Sequence, residues 1–290
     1  MDRIGVIGVG IMGIAYARNL MESGFQVIGT DIEESRLKAL SDLGAEAVQS
    51  PRDVASSVDV VLTALPTVSA LDVVVSDIAA AQREGLVVVE MSTFPLEAKE
   101  RARKTLRAAA IEMIDAPVSG TGLQAEAAEV VVYASGVSAT IERLDPVFDA
   151  VASQTFDLGE FGNGSRMKFV ANLLVSIHNL ATAEAFVLGT KGGLEPQQIL
   201  DVISAGVGTS RIFEIRGPMI VEGQFPAAAK LKMFIKDIGV IGDFGKEIGV
   251  PTPLLDAALP WYEEASAEGL GELDAAALVK LLESRVGLRK

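Results

Sequence analysis

The stretch Arg3-Ile-Gly-Val-Ile-Gly-Val-Gly-Ile-Met-Gly13 decides the fold. Its first half is a short apolar run of the kind that forms a buried strand. Its second half carries Gly8-x-Gly10-x-x-Gly13, with Ile11 and Met12 between the last two glycines. With 28 glycines in 290 residues, three of them at this spacing mean little alone. Their context means more: they close a predicted strand and open a predicted helix. A second apolar run, QVIGTD (26–31), ends in Asp31, 18 residues beyond Gly13. That is the pattern of a dinucleotide-binding turn. Gly8 allows the tight turn, Gly10 lets backbone approach a pyrophosphate, and Gly13 lets helix and strand pack closely. The helix start offers unpaired N–H groups to the phosphates. A ligand-free glycine turn would need strand, helix and carboxylate to coincide by chance. Asp31 would accept hydrogen bonds from a ribose and repel a 2′-phosphate, so NAD is expected over NADP, with NADP possible. Arg36, five residues on, could meet a phosphate or be a solvated helix residue.

Outward from this turn, apolar runs recur at 58–65, 86–92, 111–118, 129–136 and 154–159, separated by amphipathic helical stretches such as EESRLKALSDLG and PLEAKERARKTLRAAA. Val/Ile-rich runs with little alternation suit strands covered on both faces. The expectation is a doubly wound α/β Rossmann-type domain over 1–162. Beyond it, strand runs stop and helical segments follow at 164–192, 196–206, 209–222, 228–248, 252–268 and 274–285. An all-α C-terminal domain, 163–290, is expected, packed closely on the first with a cleft between them.

Composition narrows the chemistry. There is no cysteine, which removes disulfides, thiolate metal sites and cysteine nucleophiles. Lys+Arg 25 against Asp+Glu 39 gives a net charge of −14, unsuited to nucleic acid or anionic membranes. The longest apolar stretches are read as stopping short of a membrane span, and the N-terminus runs straight into a strand without a leader pattern. A cytoplasmic protein is expected. Zinc-dependent alcohol dehydrogenase chemistry lacks its ligands, and no metal is expected. Tyr16, Tyr133 and Tyr262 are followed four residues later by Leu20, Val137 and Ser266, so no Tyr-x-x-x-Lys pair exists. The one histidine, His178, is ten residues beyond Lys168, roughly 15 Å along a helix and about 80° around it. A structural partner suits His178 better than a shared substrate. A lysine remains for proton transfer. In GNGSRMKFVANLL (162–174), Lys168 and Asn172 share a helix face, with Asn179 further along it.

Four blocks in this order resemble the β-hydroxyacid dehydrogenases, the family of 3-hydroxyisobutyrate dehydrogenase, tartronate semialdehyde reductase and threonate-type dehydrogenases, with 6-phosphogluconate dehydrogenase a larger relative. They are GVGIMG (8–13), DAPVSGTG (115–122), GNGSRMKFVANLL (162–174) and FIKDIGV (234–240). The resemblance implies an NAD(P)-dependent oxidoreductase acting on a small β-hydroxy acid. It implies Lys168 as general acid/base, protonated for reduction, its pKa lowered by burial and oxidised cofactor for oxidation. It further implies Asn172 on the substrate hydroxyl, Ser119 and Gly120 at the substrate carboxylate, and Leu65, Pro66, Thr93 and Lys236 at the cofactor. A surface role for Lys236, beside Lys230 and Lys232, stays open. Thr121 stands where the family usually has glycine, and Ala171 where many members have Asn or His, so the pocket should suit a different polar substituent. GTSRIFEIR (208–216) and Phe234 lean toward threonate-type members. Arg211 is either a carboxylate clamp or a surface residue. The long apolar helix suggests a homodimer or homotetramer. Two other readings stay in view: an imine reductase, which resembles the chain in fold but typically replaces the lysine, and a non-catalytic dinucleotide-binding module.

Overall fold

A computed structural model describes residues 2–288. The first strands and helices alternate: β1 (Arg3–Ile7), α1 (Ile11–Glu22), β2 (Gln26–Thr30), α2 (Glu34–Asp42), β3 (Glu46–Ala47), α3 (Pro51–Ser57), β4 (Val60–Thr63), α4 (Val68–Ala79), β5 (Val87–Glu90), α5 (Leu96–Ala108) and β6 (Glu112–Asp115). The six strands form one parallel sheet in the order β3-β2-β1-β4-β5-β6. The order reverses between β1 and β4, so the loops after those strands part at the carboxyl edge, where such sheets bind ligands. Alternate residues of one strand serve opposite faces. Val60, Leu62, Val87 and Val89 pack with Tyr16 and Leu20 of α1. Val61 and Val88 pack with Val54 of α3 and Leu71 and Val75 of α4. Each such side chain contributes about 1.5–3 kcal/mol when fully buried, and the double cover explains the unbroken apolar runs. Local signals set the helix starts: Ser50 Oγ accepts from the Asp53 N–H at 3.2 Å, and Thr67 Oγ1 from that of Ala70 at 3.1 Å.

The run expected as one strand over 111–118 divides. It leaves the first sheet after Asp115 and resumes as β7 (Val118–Ser119). Proline at 117 cannot continue a ladder as a donor. With α6 (Gly122–Glu126), β8 (Val131–Ala134), α7 (Ser138–Arg143), α8 (Asp145–Val151) and β9 (Gln154–Asp157), it makes a second, mixed sheet, β7-β8-β9. Asp115 and Ser135 form an antiparallel bridge that stitches the two sheets together. The two-residue strand β3 had no sequence signal of its own; its pairing with β2 creates it.

The helices that follow are α9 (Asn163–Lys191), α10 (Pro196–Ser204), α11 (Arg211–Glu222), α12 (Leu231–Glu247), α13 (Pro253–Ala265) and α14 (Leu278–Val286). The segment expected over 252–268 ends its α-helix at Ala265 and continues as a π-turn in which Gly269 takes φ +86°. A 3₁₀ turn, Ala275–Ala277, precedes α14. Phe186 stacks on Phe213 and Phe234 packs against Tyr262 in this unit's core. Arg216 Nε donates to Asp274 at 2.8 Å within it, both groups buried. The chain divides into compact units between Lys168 and Phe169, inside α9 and beyond the expected boundary at 162. The first turns of α9 are bonded to the strands before it, so they stay with the first unit.

One expectation requires correction. With 29 residues and a window of mean hydropathy 1.3, α9 is long and apolar enough to cross a membrane. Its buried positions, however, include Ser165, Lys168, Asn172, Ser176 and Asn179. Lipid would leave such groups unpartnered, whereas here Ser165 is bonded to Asp115 and Asn172 to Asp237.

Tyr16 is fully buried, and among the described residues its hydroxyl has no hydrogen-bond partner. Burial, then the charge of Glu90, pushes the phenol above its ordinary value of 10. Stability from the neutral phenol is therefore complete below about pH 10 and lost as pH rises toward the folded value. Tyr16→Phe should flatten the fall in unfolding free energy above pH 10 by up to about 1.4 kcal/mol per pH unit. Urea titrations at pH 9–11 would show it; an unchanged slope refutes it.

Candidate active site

The glycine turn lies at the carboxyl end of β1. Gly8 takes φ +86°, and a Cβ there would lie 2.4 Å from the Ala64 carbonyl oxygen. At Gly13 a Cβ would meet the Gly8 carbonyl oxygen at 1.9 Å, so α1 approaches β1 as closely as backbone permits. Gly10 begins α1 with no side-chain cap and no acidic residue in the first turn. The N–H groups of Ile11, Met12 and Gly13 thus form an uncapped helix end, the arrangement an anion requires. A Cβ on Gly10 would find only Arg36 Nη1 within 4 Å, at 3.7 Å. The cradle fits a dinucleotide's pyrophosphate.

Asp31, at the end of β2, accepts from the Val9 N–H at 2.7 Å and the Glu33 N–H at 3.0 Å. Arg36 pairs with it at 3.4 Å and with Glu33 at 3.0 Å. After β4, the Leu65 N–H donates to Ser92 Oγ at 2.8 Å, while the Ser92 N–H donates to Glu90 at 2.9 Å. Leu65, Pro66, Ser92 and Thr93 thus follow β4 and β5 at the same edge as Gly8. The later loop joins them: a Cβ on Gly122 would come within 2.5 Å of Ile11 Cγ2.

Ser119 is the last residue of β7 and pairs with Val131. Gly120 follows at φ +146°, and a Cβ there would strike Val130 at 2.7 Å. Glycine is required on both counts. Thr121 is the N-cap of α6, its N–H donating to Gln124 Oε1 at 2.9 Å. That capping role is a local reason for a threonine here.

Beside this loop lies a charge cluster that residue patterns did not single out. Lys99 of α5 is fully buried and pairs with Glu90 at 2.7 Å and Asp115 at 2.6 Å, both also fully buried. Burial opposes the ammonium, but the two carboxylates outweigh it and raise its pKa. Asp115 also accepts from the Ser165 N–H and from Ser165 Oγ, each at 2.8 Å. Ser135 Oγ accepts from the Gly162 and Gly164 N–H groups at 3.2 and 2.9 Å. The N–H groups at the start of α9 are thereby paired from β6 and the end of β8. A lysine in a surface-type stretch, EAKERARK, gave no hint of burial; only the neighbouring carboxylates make it tolerable.

Lys168 is buried in α9, one turn beyond Gly164. Asn172, also buried, donates from Nδ2 to Asp237 at 2.8 Å. Lys236 of α12 lies 3.5 Å from the same Asp237, so Asp237 joins the two. It stood in the FIKDIGV block without being singled out. Arg211 is 80% exposed and pairs with Glu214, a surface arrangement. His178 is half-buried on α9. The features that leaned toward a threonate-type enzyme have structural jobs: Ser210 caps α11, and Phe213 and Phe234 are core. Among the described residues, no three His, Asp or Glu side chains gather as metal ligands.

Residues 3–159 match the family model of the NAD-binding domain of 6-phosphogluconate dehydrogenase. Residues 162–282 match that described as the NAD-binding of NADP-dependent 3-hydroxyisobutyrate dehydrogenase. The chain is 33% identical to an L-threonate dehydrogenase of Cupriavidus necator, over 96% of this chain and 95% of that one. It is 31% identical to a 2-(hydroxymethyl)glutarate dehydrogenase of Eubacterium barkeri, over 99% and 96%. A crystal structure of 3-hydroxyisobutyrate dehydrogenase from Salmonella typhimurium superposes with a TM-score of 0.87 at 32% identity, covering 97% of this chain and all of that one. An imine reductase of Streptomyces aurantiacus stands further off, with a TM-score of 0.65 at 21% identity, a likeness of fold alone.

Gly13→Ala should leave a folded protein destabilised by about 1–3 kcal/mol, the usual cost of overpacking, and should weaken NADH binding at least tenfold. Thermal melts and NADH fluorescence titration would measure both; wild-type affinity would contradict the fit described for the cradle.

Proposed function

The chain belongs to the β-hydroxyacid dehydrogenase family, and on that premise we propose that it interconverts a small β-hydroxy acid and its semialdehyde or keto acid, with Lys168 as the proton-transfer group. The observation that carries this reading is Lys168 itself. It is an amine buried in α9, one turn before Asn172, and the start of that helix is bonded to Asp115, which opens the loop bearing Ser119. A nicotinamide dinucleotide, when bound, supplies the hydride acceptor for oxidation and the donor for reduction. The N–H groups of α1 behind Gly8, Gly10 and Gly13, with Ile11 and Met12, would hold its phosphates, Asp31 its ribose, and Leu65, Pro66, Thr93 and Lys236 the remainder. Lys168 takes the hydroxyl proton in oxidation and returns it in reduction. Asp237 accepts from Asn172 Nδ2, which turns the amide oxygen away as an acceptor for the substrate hydroxyl. Ser119, Gly120 and Thr121 receive the carboxylate through side-chain hydroxyls and the Gly120 N–H, the Thr121 N–H being taken by Gln124.

NAD is the preferred cofactor in this reading. The Asp31 carboxylate is anchored by two backbone N–H groups, and Arg36 is already paired with Asp31 and Glu33, which leaves a 2′-phosphate a poor partner. A short polyhydroxy acid of the threonate type is the first substrate to try, given the 33% identical relative. The reaction draws on the cell's dinucleotide pool, so the setting proposed is the cytoplasm.

One assay tests the reading: NAD and NADP against 3-hydroxyisobutyrate, glycerate, threonate, erythronate, serine and hydroxybutyrates, with Lys168→Ala as control. Turnover with at least one acid, faster with NAD, and a loss of about 10²–10⁴-fold in kcat for Lys168→Ala are expected. A Lys168→Ala protein that keeps most of its turnover rules out the mechanism.

The oligomer proposed is a homodimer or homotetramer using α9. Met167, Val170 and Leu174 are exposed along it at three- and four-residue steps, with Leu188 exposed further on. Light scattering should give twice or four times the 30.4 kDa chain mass, and Leu174→Glu should lower it. A monomeric wild-type protein would exclude this.

A further inference from the structure

A lysine needs one carboxylate to balance its charge, yet Lys99 has two. Lys99, Glu90 and Asp115 are all fully buried, two carboxyl groups around one amine inside the first unit. Burying such a set costs several kcal/mol per ion, and an apolar replacement of the same volume is often as stable. Stability alone is therefore a weak reason for it. The Asp115 carboxylate has one further partner. The N-terminus of α9, the positive end of a 29-residue helix, points its Ser165 N–H at Asp115 Oδ2. Ser165 Oγ donates to Oδ1 of the same carboxylate, and Ser135 Oγ lies 3.2 Å from Oδ2.

The contact leaves little room for adjustment. A Cβ on Gly164 would sit 2.2 Å from the Tyr133 carbonyl oxygen and 2.8 Å from that of Asp115. Ser165 and Lys168 are three residues apart, about 4.5 Å along one helix face. Any shift of the helix end passes to the lysine. Asp115 is also the last residue of β6, and the chain runs from it through Pro117 into β7 and Ser119. One carboxylate thus meets the helix that carries Lys168 and begins the segment that carries Ser119.

We propose that Asp115 is a positioning residue for the reaction: by capping α9 from the end of β6, it holds Lys168 in register with the Ser119 loop. The inference rests on the reading of Lys168 as the proton-transfer group. Lys99, itself paired with Glu90, holds the Asp115 carboxylate in place, and Ser165 transmits its position. Misplacement by about 1 Å can cost about 10²-fold in rate while cofactor affinity stays as it was.

The test uses the full chain. Asp115→Asn should lower kcat about 10–100-fold while NADH affinity stays within about twofold. Ser165→Ala, which keeps the backbone cap, should lower kcat about 3–10-fold, and it carries the test if Asp115→Asn fails to fold. In a Lys168→Ala background, measured by single turnover at high enzyme concentration, either change should cost little more, because the group it positions is gone. A folded Asp115→Asn or Ser165→Ala protein with wild-type kcat overturns the inference. So does a loss as large in the Lys168→Ala background, which would mark a general structural defect. If Lys168→Ala itself keeps its turnover, the reading of the lysine fails. If only the Asp115 and Ser165 variants do, this inference fails alone.

Discussion

A helix that starts inside a protein must find partners for its first N–H groups, and α9 finds them on two earlier strands. Asp115 takes the Ser165 N–H, and Ser135 Oγ takes those of Gly162 and Gly164. Asp115 and Ser135 are themselves bridged through their backbones, so the cap is also the seam between the parallel sheet and the small mixed one. Charge follows geometry. Buried Asp115 needs a cation, Lys99 of α5 supplies it, and Glu90 at the end of the adjacent strand completes the cluster. Three consecutive elements, β5, α5 and β6, are tied to a helix end 50 residues beyond Asp115.

Glycine does a different job in the same region. Gly13 has no Cβ to strike the Gly8 carbonyl oxygen where α1 meets the end of β1, Gly8 has none to strike Ala64, and Gly164 does the same where α9 meets Asp115 and Tyr133. In both places a helix start is brought against a strand end. The results differ because the caps differ. No side chain caps α1, which leaves its N–H groups for an anion. The corresponding groups of α9 are already used by protein side chains, so that end cannot bind a phosphate and serves as an anchor. The same backbone physics leaves an open helix end at residue 10 and a fixed point at residue 165.

On the reading proposed above, the nucleotide turn relies on backbone groups and a carboxylate, and the reacting end on an amine, an amide and a short loop. Thr121 caps α6 here, so a change of residue in the loop is tied to a change in how the next helix begins.

Much of this was legible in the sequence because local rules carried it. Uninterrupted Val/Ile runs announced strands covered on both faces. The glycine turn between β1 and α1, Asp31 just after β2, and the helix shared by Lys168 and Asn172 could all be placed from local spacing. What depended on partners distant in the chain was not legible. Lys99 sits among exposed-looking charges and is buried only because Glu90 and Asp115 come to it. The 111–118 run looks like one strand, yet Pro117 and the pairing of Asp115 with Ser135 divide it between two sheets. The division inside α9, the two-residue strand β3 and the link from Asn172 through Asp237 to Lys236 have the same origin. The sequence by itself determined the order of the elements and the chemistry of the side chains, since propensity and periodicity act over a few residues. Only the tertiary structure decided which charges are buried together and what holds the helix of Lys168 in place, since those contacts join residues up to 65 positions apart.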